Sequence, residues 1–147
     1  MLDQTKQAAL IDIRSVCRSF PKGSGEQLLV LENVDLTIHA GEIVGLLGRS
    51  GSGKSTLLQL LSAQLAPSAG RVSYRMRDGV LRDLAELGEA ERRFLFRTDW
   101  GFVHQDPAQG LRMGVSAGAN VGERLMAVGW NHYGRIREIG RASCRER

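Results

Sequence analysis

The stretch Gly48-Arg49-Ser50-Gly51-Ser52-Gly53-Lys54-Ser55-Thr56 decides how this chain is read. Its glycines let the backbone curl so that successive N–H groups point inward at one anion. A helix starting just after them would present the positive end of its dipole to that same anion. Lys54 is then placed to reach the β- and γ-phosphates of a nucleotide, and the Ser55 hydroxyl to ligate Mg²⁺. A match to so short a pattern can arise by chance in a chain with 18 glycines, so its flanks matter. The apolar residues 43–47 before it read as a strand and the Leu-rich stretch after Thr56 as a helix. Strand, Gly-rich loop and helix in that order imply a phosphate-binding loop rather than a simple Gly-rich turn.

Outward from the loop, a helix is expected from Lys54 to about Gln64, and Leu57, Leu58, Leu61 and, just past it, Leu65 fall at helical spacing, an apolar stripe expected to face a sheet. Pro67-Ser68-Ala69-Gly70 ends that helix. Upstream, Ile11 and Ile13 alternate with polar residues as in a strand, and residues 16–20 continue or re-pair it. Pro21-Lys22-Gly23-Ser24-Gly25 is a loop by composition. An apolar run at 28–31 and the alternation of Val34, Leu36 and Ile38 predict further strand, and Ala40-Gly41-Glu42 turns the chain into 43–47. Downstream, Val72, Tyr74 and Met76 alternate before Asp78-Gly79, a hairpin signature. Residues 89–97 and 115–128 read as helices. Residues 100–104 read as a short strand, with Gln105 at its junction with a loop because Pro107 forbids a central strand there. The fold class expected is α/β: a phosphate-loop NTPase core with an antiparallel β-subdomain and the start of a helical subdomain, incomplete as it stands. Residues 1–9 are polar and expected to be frayed.

Composition narrows the class further. A length of 147 residues, with 42% hydrophobic and 24% charged, suits one soluble globular domain. No run approaches the ~18 apolar residues of a membrane span, and the N-terminus lacks the pattern of a secretory signal, so a cytoplasmic location is expected. Two cysteines make no disulfide framework, and Cys17 reads as a small buried hydrophobe. The formal charge of +4 raises the question of nucleic acid. The basic residues are scattered and interleaved with acids between 71 and 97, without the aromatic-basic alternation that stacks bases. A solvated basic face is expected, and no nucleic-acid partner.

The loop fits a narrower pattern, with Ser-Gly in its middle and Ser-Thr at its end, that resembles the ABC-type ATPases. The resemblance implies ATP and Mg²⁺ as cofactors. It makes Gly48, Ser50, Gly51, Ser52, Gly53, Lys54, Ser55 and Thr56 the nucleotide-binding set, with Lys54 also catalytic. Phe20, just before Pro21, is similar to the aromatic residue that stacks on adenine in that family, although a plain core Phe is the alternative. The segment Leu31-Glu32-Asn33-Val34-Asp35-Leu36-Thr37-Ile38 before Gly41-Glu42 resembles the family's second strand and turn. Gln105, after Phe102-Val103-His104, matches the glutamine that contacts Mg²⁺ and the attacking water, with a capping glutamine as the alternative. A closer resemblance lies in Arg97-Thr98-Asp99-Trp100-Gly101-Phe102-Val103-His104-Gln105-Asp106-Pro107 and the residues after it. It is to the ATP-binding K-type subunits of the phosphonate carbon-phosphorus lyase system. His104, Trp100 and Trp130 carry no assignable chemistry and read as packing or surface residues.

That resemblance covers residues 10–137, expected to be the N-terminal part of a nucleotide-binding domain. The sequence holds no Leu-Ser-Gly-Gly-Gln signature, no apolar run ending in Asp-Glu and no switch histidine after it. By the family's pattern this chain alone is therefore expected to be inactive. The resemblance implies as partners a second ATPase half, in a homodimer or heterodimer, and the carbon-phosphorus lyase core complex. The alternative is an energy subunit of a peptide, nickel or phosphonate importer, bound to membrane permease subunits and so peripheral at the inner membrane. Residues 138–147 break the pattern, and one set of codons for them resembles a short-read sequencing adapter. They are expected to be a non-native tail.

Overall fold

The structure is a computed structural model that describes residues 8–130, 132 and 134–138. The chain divides into two units, Met1–Gly88 and Glu89–Arg147. The expected tail at 138–147 lies almost wholly outside the described residues.

The first unit is built on a four-stranded antiparallel sheet. Strands β1 (Ala9–Lys22) and β2 (Glu26–His39) form a long hairpin closed by a 3₁₀ turn at Gly23–Gly25. Helix α1 (Lys54–Leu61) follows, then β3 (Ala69–Arg75) and β4 (Leu81–Asp83), giving the order β2-β1-β3-β4. The turn expected at Asp78-Gly79 joins β3 to β4, with the Asp78 carboxylate accepting from the Val80 N–H at 3.0 Å.

The two opening strand segments expected from the sequence are one strand interrupted by bulges. The register of β1 on β2 shifts between Ile13 and Val16, where Ser15 on β1 adopts φ of 48°, and again between Val16 and Arg18, opposite Asn33 on β2 with φ of 46°. Bulged backbone N–H groups leave the ladder and need other partners. The Ser15 N–H donates to the Asp35 carboxylate at 2.9 Å, and the Asn33 N–H to the Cys17 sulfur at 3.3 Å. Cys17 is half-buried and thus an acceptor at a bulge, not merely an apolar filler. Gly70 on β3 makes the bulge possible: a Cβ there would lie 2.3 Å from the Ser15 carbonyl oxygen.

Ile13, Val16, Val72, Tyr74 and Leu84 form the buried core, joined by Leu31 of β2 and by Leu57 and Leu60 of α1. The α1 stripe therefore differs from the expected one. Its buried pair is Leu57 and Leu60, and Leu58 is 45% exposed. The helix also stops at Leu61 rather than near Gln64, because Ala63 turns to φ 53°.

The strand expected at 43–47 does not form, and neither does the one at 100–104. Ile43 is 98%, Leu47 97% and Val103 94% exposed. A strand of the buried, parallel kind owes its conformation to flanking strands that take its hydrogen bonds and cover both faces. Among the described residues every sheet pairing is antiparallel and belongs to β1–β4. Without such neighbours these stretches stay unpaired and leave Ile43, Leu47 and Val103 bare.

The second unit is helical: α2 (Glu89–Thr98), α3 (Pro107–Gly110), α4 (Ala117–Ala127) and a helical stretch at 134–138. Helix α2 carries Glu89 and Glu91 in its first turn and Arg97 in its last, the charge order its dipole favours. The Ser116 hydroxyl caps α4 by accepting from the Ala119 N–H at 3.2 Å. Leu95 of α2 is buried, and Arg124 of α4 donates to the Phe96 carbonyl, tying the two helices together. Gly122 lets α4 approach Ile136, whose Cγ2 would be 3.0 Å from an added Cβ. Trp100 packs edge-on against Phe96 at 5.5 Å between centroids, while Trp130 is 42% exposed. Both agree with packing or surface roles.

Candidate nucleotide site

The loop expected to hold phosphate sits on β2. Gly53, its last residue, has φ +84° and lies so close to β2 that a Cβ there would be 2.8 Å from Leu31 Cδ2 and 3.1 Å from the Val30 carbonyl oxygen. Only glycine combines that left-handed backbone with that approach. Gly48 is crowded too, since its Cβ would fall 2.7 Å from the Ser52 hydroxyl. The Ser52 N–H closes the loop on the Arg49 carbonyl at 3.2 Å.

Helix α1 begins directly at Lys54, and no side chain caps it. The first-turn N–H groups of a helix have no intrahelical partner, so this end offers donors and a positive dipole to an anion. Ser55 lies exposed in that first turn, as do Ser50, Gly51 and Ser52 in the loop, whereas Thr56 is half-buried. The Lys54 ammonium folds back across the loop. It donates to the carbonyls of Gly48 at 2.9 Å and Arg49 at 2.7 Å, and to the Ser52 hydroxyl at 3.4 Å. These three acceptors match the three donors of the ammonium. An incoming phosphate would exchange neutral carbonyl partners for charged oxygens, which form the stronger bonds. Ser50, Gly51, Ser52, Gly53, Lys54 and Ser55 are thus gathered at one helix end, as the donor set for a polyphosphate requires. Among the described residues no cluster of three or more His, Cys, Asp or Glu side chains exists to hold a metal. Mg²⁺ here would depend on the Ser55 hydroxyl and the oxygens of the nucleotide itself.

The turn feeding the loop is fixed by Glu42. Its carboxylate accepts from the His39 backbone N–H at 2.7 Å and lies 3.3 Å from the His39 ring. The backbone bond, then the ring, holds the Glu42 carboxyl below its ordinary value of 4.5.

Phe20 lies half-buried on β1, in register with Leu28 of β2. Val30 and Leu31, which underlie Gly53, are two and three residues further along that same strand. The Arg18 guanidinium sits over the ring at 4.7 Å from the centroid. Sequence reasoning overlooked Arg18. The available signal was its place two residues before Phe20, which puts both side chains on one face of a strand.

Gln105 belongs to the second unit, where it is exposed. It stands at a bend between the unpaired 100–104 and α3, so the expected junction of strand and loop is here a junction of loop and helix. The following Asp106 caps α3 by accepting from the Ala108 N–H at 3.0 Å, and Gln105 is not the cap. His104 packs edge-on against Phe102 at 4.8 Å between ring centroids, a packing role.

Comparison with known proteins shows the family. Residues 31–141 match the family model described as ABC transporter. The chain belongs to the ABC transporter family. It is 44% identical over 128 residues to the putative phosphonates utilization ATP-binding protein PhnK of Escherichia coli strain K12, covering 87% of this chain and 47% of that protein. It is 48% identical over 98 residues to the macrolide export ATP-binding/permease protein MacB 1/2 of Paracoccus denitrificans strain Pd 1222, covering 67% of this chain and 14% of that one. In structure it resembles the ATP-binding cassette MJ0796 in a dimeric post-hydrolysis state bound to ADP and Pi. The TM-score is 0.75 at 28% identity, over 90% of this chain and 54% of that one. The chain thus spans about half the length of PhnK and of the MJ0796 cassette, and a smaller part of the exporter. Among the described residues no helix is long and apolar enough to cross a membrane.

Proposed function

We propose that this chain is the ATP-binding part of an ABC-type ATPase serving phosphonate utilisation through the carbon-phosphorus lyase system. Residues 10–137 form the nucleotide-binding portion in this reading, and 138–147 are not native to it. The observation that carries it is Lys54, held by loop carbonyls at an uncapped helix end where phosphate would compete for it. The similarity to PhnK over 87% of the chain supports the phosphonate assignment.

Lys54 and the loop amides neutralise and orient the phosphates, the Ser55 hydroxyl contributes to holding Mg²⁺, and Phe20 takes the adenine. Mg²⁺ supplies charge neutralisation of the triphosphate. Gln105 is assigned to turnover rather than binding on the family resemblance alone. A second ATPase half completes the assembly, in keeping with the dimeric MJ0796 cassette. The lyase core complex is the further partner, and the working location is the cytoplasm. The similarity to an ATP-binding/permease exporter favours a second reading in which the same domain drives a transporter through permease subunits at the inner membrane.

Titration with ATP tests the binding claim. Lys54→Ala should weaken binding by at least about tenfold through loss of charge-assisted bonds. Gln105→Ala should stay within about threefold of the unsubstituted chain. Phe20→Ala should lose about 1 to 3 kcal/mol of base stacking. Unchanged ATP affinity in Lys54→Ala would overturn the reading. Deleting the source gene separates the two systems: loss of growth on methylphosphonate as sole phosphorus source with uptake of labelled methylphosphonate intact supports the lyase assignment, and normal growth there, or loss of uptake, refutes it.

A further inference from the structure

We infer that Arg18 is a positioning residue for base recognition: it covers one face of the Phe20 ring and so presents the other to the purine. The inference rests on the proposed adenine role of Phe20. Arg18 and Phe20 alternate with Ser19 on β1, so their side chains leave the strand on one side. The Arg18 guanidinium carbon lies 4.7 Å from the Phe20 centroid, within the range of a cation–π contact.

The guanidinium is also held by the segment after α1. Its Nη1 donates to the Ala66 carbonyl at 2.9 Å. The neighbouring backbone is stitched to β1 as well, since the Ser68 N–H donates to the Cys17 carbonyl at 2.9 Å and the Ser19 N–H to the Ser68 hydroxyl at 3.1 Å. Arg18 therefore bridges the exit of the phosphate-loop helix and the ring, and a half-buried aromatic gains a fixed orientation from it. Its Nε is buried without a hydrogen-bond partner. Leaving a donor of a charged group in that state is unfavourable unless the arrangement serves something else. Ring orientation is that service, because a base stacks only on a face that is both free and correctly tilted. A flat ring has two faces, and the cation occupies one.

Equilibrium titrations of the chain with ATP and with inorganic triphosphate separate base from phosphate recognition. Arg18→Met, which keeps the bulk and removes the cation, should weaken ATP by roughly two- to fivefold and leave triphosphate unchanged. Arg18→Lys, retaining the charge, should fall between Met and the native residue. Combined with Phe20→Ala, Arg18→Met should add nothing further, since the ring it orients is gone. Should Arg18→Met weaken ATP and triphosphate equally, the residue is only structural and the inference fails. It also fails if ATP binding survives Arg18→Met intact while Phe20→Ala loses affinity. If Phe20→Ala itself binds ATP normally, the adenine role fails, and the inference with it.

Discussion

Replacing Gly53 by alanine tests whether the phosphate loop is shaped by its contact with β2. The backbone there has φ +84°, a conformation that costs an L-residue about 1 to 2 kcal/mol. The new Cβ would also meet Leu31 Cδ2 at 2.8 Å and the Val30 carbonyl oxygen at 3.1 Å. Leu31 is only 7% exposed and the Val30 carbonyl belongs to the backbone of β2, so neither neighbour can retreat freely. Overpacking of this kind adds about 1 to 3 kcal/mol. The loop conformation is then disfavoured by about 2 to 5 kcal/mol, which weakens any ligand requiring it by about 30-fold to several thousandfold. Gly51→Ala is the control. Its φ is +80°, but nothing lies within 4 Å of its Cβ, so only the backbone cost applies. That leaves about 5- to 30-fold. Isothermal titration with ATP, with circular dichroism to confirm folding, measures both variants. ATP affinity in Gly53→Ala within threefold of native, or equal losses in the two variants, would refute the idea that β2 dictates the loop.

Three further outcomes are expected. The exposed apolar residues at 43–47 should bind the dye ANS and promote association; Ile43→Ser combined with Leu47→Ser should lower both dye fluorescence and light scattering, and no change would show that this segment is not the adhesive one. At Asp12, burial raises the carboxyl's pKa, but hydrogen bonds from Arg14 at 2.9 Å and Thr37 at 2.9 Å, with the Arg14 charge, bring it below its ordinary 3.8. A pKa depressed in the folded state gives stability that is present above 3.8 and lost as pH falls through the lower folded value. Asp12→Asn should therefore flatten that acid limb of the unfolding curve, and an unaltered limb would contradict the assignment. In the second unit, Asn120 accepts from the Arg112 N–H at 2.8 Å and donates to the Arg112 carbonyl at 3.1 Å, as a backbone partner would. Asn120→Ala should cost about 1 to 2 kcal/mol and speed hydrogen exchange at 111–115 selectively, which mass spectrometry can check.

The sequence by itself determined the features whose causes are local. The glycines at 51 and 53, the lysine after them and the helix that follows were legible as a phosphate-loop pattern, because backbone curl and helix dipole are local, although the close seat of Gly53 on Val30 and Leu31 was not. The Asp78-Gly79 hairpin and the helices α2 and α4 were legible for the same reason. Tertiary structure alone decided the rest. The bulges at Ser15 and Asn33 depend on Asp35, Cys17 and Gly70, which lie elsewhere on the sheet, so alternation in β1 could not reveal them. Which leucines of α1 are buried depended on which surface the helix met. Residues 43–47 and 100–104 carry the composition of strands, yet a buried strand exists only when neighbours supply its hydrogen bonds and cover its faces. Arg18 escaped notice because its importance lies in the Ala66 carbonyl and the Phe20 ring, brought together only when the segment after α1 folds back onto β1.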